Sequence, residues 1–261
     1  MQMPEFQISA GLLAILFSGG FAAGFVDSIA GGGGLISLPV LLSVGLPVQL
    51  ALGTNKLQGT FGVLSASVNY IRKGKIHLHE SYTGIIFTFI GASLGAWSIQ
   101  RLDPGFIRNI IPVLLAVVFL YTLFSRQLGF EARAPVMPRQ WFYMLSGLGL
   151  GFYDGFFGPG TGSFWTAGLL FFLGYDMTKA AGATRIMNFT SNVVALGVFM
   201  VGNNVLYSAG LIMATGQLIG ARVGSGLAIK NGARFIRPIF LAVVFLTIVR
   251  MSYVYYFQNS V

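Results

Sequence analysis

Four ionisable residues lie inside long apolar stretches of the chain: Asp27, Lys56, Asp154 and Arg185. A charged group at the centre of a bilayer costs about 2.5–3.5 kcal/mol even on mild insertion scales, so it sits there only with a partner or a task. Two acids and two bases can neutralise one another and tie helices together. The same set can border a pathway for an ion or a small charged solute. Glycine runs follow both acids: Asp27-Ser28-Ile29-Ala30 leads into Gly31-Gly32-Gly33-Gly34, and Asp154 into Phe157-Gly158-Pro159-Gly160-Thr161-Gly162-Ser163. Each Gly costs a helix about 1 kcal/mol relative to Ala, and Pro159 cannot donate to a continuous ladder. Both stretches should unwind. A new helix should begin near Leu35, and Thr161 or Ser163 should cap the second restart. Helix starts present free N–H groups and the positive end of a dipole, which suits an anion. The residues that could form such a cradle are Asp27, Ser28, Gly33, Gly34, Asn55, Lys56, Asp154, Gly160, Thr161, Arg185 and Asn188. Tight helix packing is the other use for so many glycines.

Other chemistries lack their residues. No Walker Lys-Ser/Thr pattern follows either glycine run, so a nucleotide site is not expected. Cysteine is absent and the two histidines, His77 and His79, share a polar loop with Glu80, which leaves no evident metal cluster or Cys nucleophile. Ser37 or Ser163 with Lys56 could mimic a Ser–Lys dyad, but nothing in the pattern orients them; an intramembrane enzyme is the weakest reading. No cofactor is expected. The net charge of +9 resides in short loops between apolar runs, where it retains loops in the cytoplasm, so no nucleic-acid partner is expected either.

The elements that must position these groups are membrane helices. Hydrophobic residues make up 55% of the chain and charged residues 9%, against roughly 25% charged in soluble domains. Mean hydropathy is +0.76. Apolar runs fall at about 8–30, 34–51, 55–71, 81–99, 106–124, 141–157, 162–174, 183–201, 206–227 and 235–257, with no cleavable signal apparent. They predict an all-α polytopic membrane protein. The chain also repeats. Leu115–Leu120 recurs as Leu241–Leu246, Gly91–Ala96 echoes Gly216–Ala221, Gly24–Ser28 echoes Gly151–Gly155, and Gly53–Leu57 aligns with Gly182–Ile186. This divides the chain into a first repeat 1–125, a cytoplasmic linker 126–140 and a second repeat 141–261. Arg72, Lys73 and Lys75 place one loop inside, whereas its counterpart near Asn203-Asn204 is uncharged. Five segments per half satisfy the charged loops, so the repeats should be inverted, with both termini outside. Each half should contain a glycine-broken helix or a re-entrant hairpin.

The residues Gly24–Leu35, Gly53–Gln58, Gly151–Gly162 and Gly220–Ser225 together resemble the TauE/SafE family of sulfite exporters, also called TSUP permeases, over essentially the whole chain. The likeness is greatest to its bacterial inner-membrane branch without a known substrate. That resemblance implies a secondary transporter of the bacterial cytoplasmic membrane that moves a small sulfur-containing anion such as sulfite, thiosulfate or an organosulfonate. The expected partners are that anion, the lipid bilayer and a coupling proton or ion, with homo-oligomerisation left open. A passive anion channel is the alternative.

Overall fold

The computed structural model describes residues 9–103 and 132–231, together with Phe235 and Pro238. Within them lie eight α-helices: α1 (Ala10–Ala30), α2 (Gly34–Ser43), α3 (Val48–Arg72), α4 (Tyr82–Ile99), α5 (Arg139–Phe156), α6 (Thr161–Phe172), α7 (Met177–Val201) and α8 (Tyr207–Asn231). No strand occurs among the described residues. Helices α1, α4 and α7 are long and apolar enough to cross a membrane by length and composition. The segments expected at 106–124 and 235–257, much of the linker and the Leu115–Leu120 repeat fall outside the described residues, almost all of 235–257 among them.

Both glycine stretches break the backbone. Helix α1 stops at Gly31, whose φ of +82° suits glycine and whose N–H donates to the Asp27 carbonyl at 2.9 Å. Helix α6 is headed by Gly160 at φ +85° with no side-chain cap. The cap position is thus Gly160 rather than the expected Thr161 or Ser163. Thr161 is already the first helical residue, and its hydroxyl donates to the Gly158 carbonyl at 2.6 Å.

Each break is a hairpin. Helix α2 returns along α1, so that a Cβ on Gly19 would lie 3.1 Å from Val40 Cγ1, and α6 returns along α5 in the same way at Gly168 and Phe142. With 10 and 12 residues, α2 and α6 reach only about 15–18 Å, roughly half of a hydrocarbon core. They are half-helices that start inside the protein.

Helix α3 corrects the expected boundary between runs 34–51 and 55–71. The break comes at Gly45–Pro47, and the helix passes straight through Gly53-Thr54. Gly53 lies there because the Asn204 carbonyl presses on it, and the Thr54 hydroxyl accepts the Leu206 N–H at 2.9 Å. Helix α7 likewise begins ahead of the expected run 183–201. Asp176 caps it by accepting the Thr178 and Lys179 N–H groups at 2.9 and 3.0 Å.

The halves are inverted and interlaced. Helices α3 and α7 pack antiparallel: Gly53 backs onto Phe199, and Gly182 backs onto Tyr70. The offset relating Gly53 to Gly182 also relates Tyr70 to Phe199, so the two contacts are images of each other under a two-fold axis. Helix α1 lies parallel to α8 of the other half, and α4 lies parallel to α5. Cβ atoms on Gly216 and Gly220 would come within 2.8 and 2.9 Å of the Phe21 and Phe25 nitrogens. On Gly91 and Gly95 they would come within 2.8 and 2.7 Å of the Phe152 and Phe156 nitrogens. Small residues four apart bring these backbones together, where dispersion replaces the missing hydrophobic drive.

Candidate functional site

The two breaks meet. A Cβ on Gly162 would lie 2.6 Å from Gly31 Cα, and one on Gly34 would lie 3.1 Å from Pro159 Cα. Where they meet is a polar cavity of about 30 Å³ whose lining includes Asp27, Gly34, Asn55, Lys56, Asp154, Gly158, Gly160, Gly162 and Asn188, together with Gln58, Asn192 and Gln217. That space holds about one water molecule.

Apolar clusters flank the site above and below. Along α3 the order is Leu52 in one apolar cluster, Lys56 to Val63 at the cavity, and Tyr70 in a second cluster. Along α7 the sequence runs Phe199, then Asn192 and Asn188, then Ile186 and Ala180. Leu35, Leu38, Leu41 and Phe157 belong to the first cluster, and Ile29, Trp165 and Phe142 to the second.

Charge is paired across the halves. Lys56 Nζ bonds Asp154 Oδ1 at 2.6 Å, and Arg185 Nη1 lies 3.2 Å from Asp27 Oδ2. The exposures of Asp27, Lys56, Asp154 and Arg185 are 8%, 2%, 3% and 0%. Leaving one such charge unpaired costs about 3–5 kcal/mol, so these pairs hold the halves together as well as bordering the cavity. Asp27 Oδ1 accepts the Gly33 N–H at 3.1 Å. Asp154 Oδ2 accepts from the Ser191 hydroxyl.

The structure gives the two bases different surroundings. Lys56 faces the cavity. Arg185 does not line it: Nη1 donates to the Asp27 main-chain carbonyl, and Nε donates to the Ala181 carbonyl at 3.3 Å. Ser28, Gly33 and Thr161 also lie off the cavity wall. Ser28 donates to the Phe25 carbonyl at 2.9 Å against α8. Asn55 is fixed by donors from Ser37 and Gln58 at 2.5 and 2.8 Å. The side-chain oxygens of Gln58, Asn188 and Gln217 have no hydrogen-bond partner among the described residues, so hydrogen-bonding capacity is left over at the wall.

Gln217 was not picked out by the sequence. It is 2% exposed, and its Cγ is gripped between Gly24 and Gly62. Its signal was one carboxamide in an otherwise small and apolar run. Arg222, off the site, donates to Asn69 Oδ1, and Asn69 donates in turn to Ser225 at 2.8 Å.

Residues 16–251 match the family "Sulfite exporter TauE/SafE". The chain belongs to that family. A "Probable membrane transporter protein" of Haemophilus influenzae is 42% identical over 246 residues, covering 94% of this chain and 96% of that protein. "Probable membrane transporter protein YfcA" of Escherichia coli K12 is 39% identical over 238 residues, covering 91% and 88%. "Sulfite exporter TauE/SafE family protein 6" of Arabidopsis thaliana is 31% identical over 102 residues, 39% of this chain and 24% of its own length. These names describe membrane transporters rather than enzymes.

In this TauE/SafE protein Glu80, Arg139 and Lys179 gather on one face. Lys179 donates to Glu80 at 2.9 Å, and Arg139 lies 3.9 Å from the same oxygen. The hydrogen bond from Lys179 holds the Glu80 carboxyl below its usual range, and the charges of Lys179, Arg139 and His77 add to this.

Proposed function

We propose that this protein is a secondary transporter of the bacterial cytoplasmic membrane that carries a small sulfur-containing anion (sulfite, thiosulfate or an organosulfonate) by alternating access. One observation carries the reading: two half-helix starts from opposite halves converge on a small polar cavity that also holds a lysine. Half-helix N-termini facing a midplane site are how inverted-repeat transporters bind anionic groups. The α2 and α6 starts bring the positive ends of their helix dipoles to the space, and Lys56 supplies positive potential. A four- or five-atom oxyanion needs several times the volume of one water, so the cavity as described is too small for substrate, which enters by displacement of a wall.

The packing supports a particular motion. Because α1 adheres to α8 and α4 to α5 through backbone contacts, the moving bodies are these cross-half pairs and not residues 1–125 against 141–261. The apolar cluster around Leu38 and Phe199 and the one around Tyr70 and Trp165 then act as alternate seals.

Uptake of labelled sulfite and thiosulfate into proteoliposomes tests the proposal, with wild type beside Lys56→Ala. Saturable uptake with counterflow, lost in the variant, is the expected result. Wild-type flux in Lys56→Ala removes the anion cradle, and unitary currents replace the carrier by a channel.

A further inference from the structure

We propose that each monovalent anion (a sulfonate or hydrogen sulfite) bound at this site brings one proton onto Asp154, so that the carrier is electrically neutral both empty and loaded with it. The inference rests on the anion-transport reading above and adds its coupling.

The four buried charges sum to zero, and each cation already holds a carboxylate. The carboxylates also occupy other donors an anion would use, since Asp27 takes the Gly33 N–H and Asp154 the Ser191 hydroxyl. Arg185 Nη2 has no hydrogen-bond partner among the described residues, but Arg185 is off the cavity wall; an incoming anion therefore finds no unpaired cation at the wall and must take one from an internal acid.

Geometry selects which pair opens. Arg185 is tied to the Ala181 and Asp27 carbonyls away from the cavity, and its acid is held a second time by Gly33. Lys56 faces the cavity. Its Nζ has Asp154 as its one side-chain acceptor among the described residues. Gly158 lies beside this pair: a Cβ there would be 2.6 Å from Lys56 Nζ and 2.9 Å from Asp154 Oδ1. Bare backbone at that point gives the pair its opening to the cavity. Lys56 has a long flexible stem, so its ammonium can leave Asp154 for an anion among the Gly34, Gly160 and Gly162 backbones.

Asp154 then keeps Ser191 and loses its cation. No neighbouring element supplies another. Helix α4 carries no Asp, Glu, Lys, Arg or His, and neither does α6. Helix α7 brings Arg185, already engaged, and Lys179, bound to Glu80 at the loop-bearing face. On α5 itself Arg139 lies at the far end and Tyr153 is adjacent in sequence. Asp27, across the cavity, has the same sign. A proton from the side to which the cavity is open forms an O–H bond on Asp154 and cancels the stranded charge. When the anion leaves on the other side, Lys56 returns, the O–H bond breaks and the proton follows. No oxidation or reduction occurs, and net movement is one monovalent anion with one proton, which carries no net charge.

The test uses the full chain in proteoliposomes with labelled methanesulfonate, sulfite and thiosulfate. Membrane voltage is set by potassium and valinomycin, and the pH gradient is set independently. Methanesulfonate is the decisive probe because it stays ionised, so any proton taken up belongs to the protein. A pH gradient alone should accumulate methanesulfonate at least several-fold, whereas voltage alone should leave its uptake unchanged. In weakly buffered detergent solution, methanesulfonate binding to wild type should consume one proton per anion, read with an indicator dye. Asp154→Asn should consume none per anion bound, and its residual uptake should ignore the pH gradient. Accumulation that follows voltage and ignores pH in wild type overturns the coupling while leaving transport intact, as does anion binding by wild type without proton uptake. Absence of uptake of all three anions overturns the transport reading itself.

Discussion

Replacing Gly162 by Ala probes the junction of the two breaks. The added Cβ would sit 2.6 Å from Gly31 Cα and 2.8 Å from Asn188 Nδ2. The first neighbour is backbone and cannot rotate away, so the breaks must separate. Overpacking of this kind costs about 1–3 kcal/mol, and with backbone as the obstacle the upper half of that range applies. Against it stands the gain of up to about 1 kcal/mol for Ala over Gly in a helix. The net expectation is destabilisation by roughly 1–2 kcal/mol. Gly149→Ala is the internal control: Gly149 lies in α5 with nothing within 4 Å of an added Cβ, so the same change there should stabilise by about 0.5–1 kcal/mol. Thermal unfolding of both variants in one detergent, followed by tryptophan fluorescence, should separate them by roughly 5 °C or more. Anion uptake should fall at least about tenfold in Gly162→Ala, since an ångström of misplacement is felt at a preorganised site, and stay at wild type in Gly149→Ala. Equal melting temperatures with wild-type uptake in both would refute the contact between the breaks.

Lys56→Met should destabilise by about 3–5 kcal/mol by stranding Asp154, and adding Asp154→Leu should restore most of that stability without restoring transport; denaturation in detergent and uptake assays check both. Arg185→Lys should lower stability because a lysine cannot hold the Asp27 carboxylate, its main-chain carbonyl and the Ala181 carbonyl together, measured by unfolding midpoint. Glu80 has a lowered folded-state pKa, so its contribution is present above the unfolded carboxyl value and is lost as pH falls through the folded one. Glu80→Gln should therefore flatten the acid side of the stability profile, and high salt should do the same to wild type. The cysteine-free chain permits a topology test: an impermeant maleimide added outside intact cells should label Asn203→Cys and spare Lys73→Cys.

The helical class was legible because apolar runs near 20 residues with few charges have few other uses, and the breaks were legible because four glycines and a Pro cannot extend a helix cheaply. The start of α3 was hidden. Gly53-Thr54 reads as a loop when taken locally, but the helix runs through it because Asn204 and Leu206 contact those residues from the other half. Sequence equivalence matched Asp27 with Asp154 and Lys56 with Arg185, yet it could not tell which acid each base would reach. That depends on the two-fold crossing of α3 and α7. Nor could it separate Lys56, which lines the cavity, from Arg185, whose longer fork turns to main-chain carbonyls. Gln217 escaped because a lone carboxamide in a Gly- and Ala-rich helix reads as packing until Gly24 and Gly62 are seen to aim it.

The most direct measurement is a crystal structure of the protein soaked with selenate or selenite, using selenium anomalous scattering to place the anion. The account puts the peak between the Gly34 and Gly162 backbones, within hydrogen-bonding reach of Lys56 Nζ, with the Lys56–Asp154 distance grown beyond its present 2.6 Å. A peak confined to the basic loop face near Arg139 and Lys179, with that ion pair intact, would contradict it.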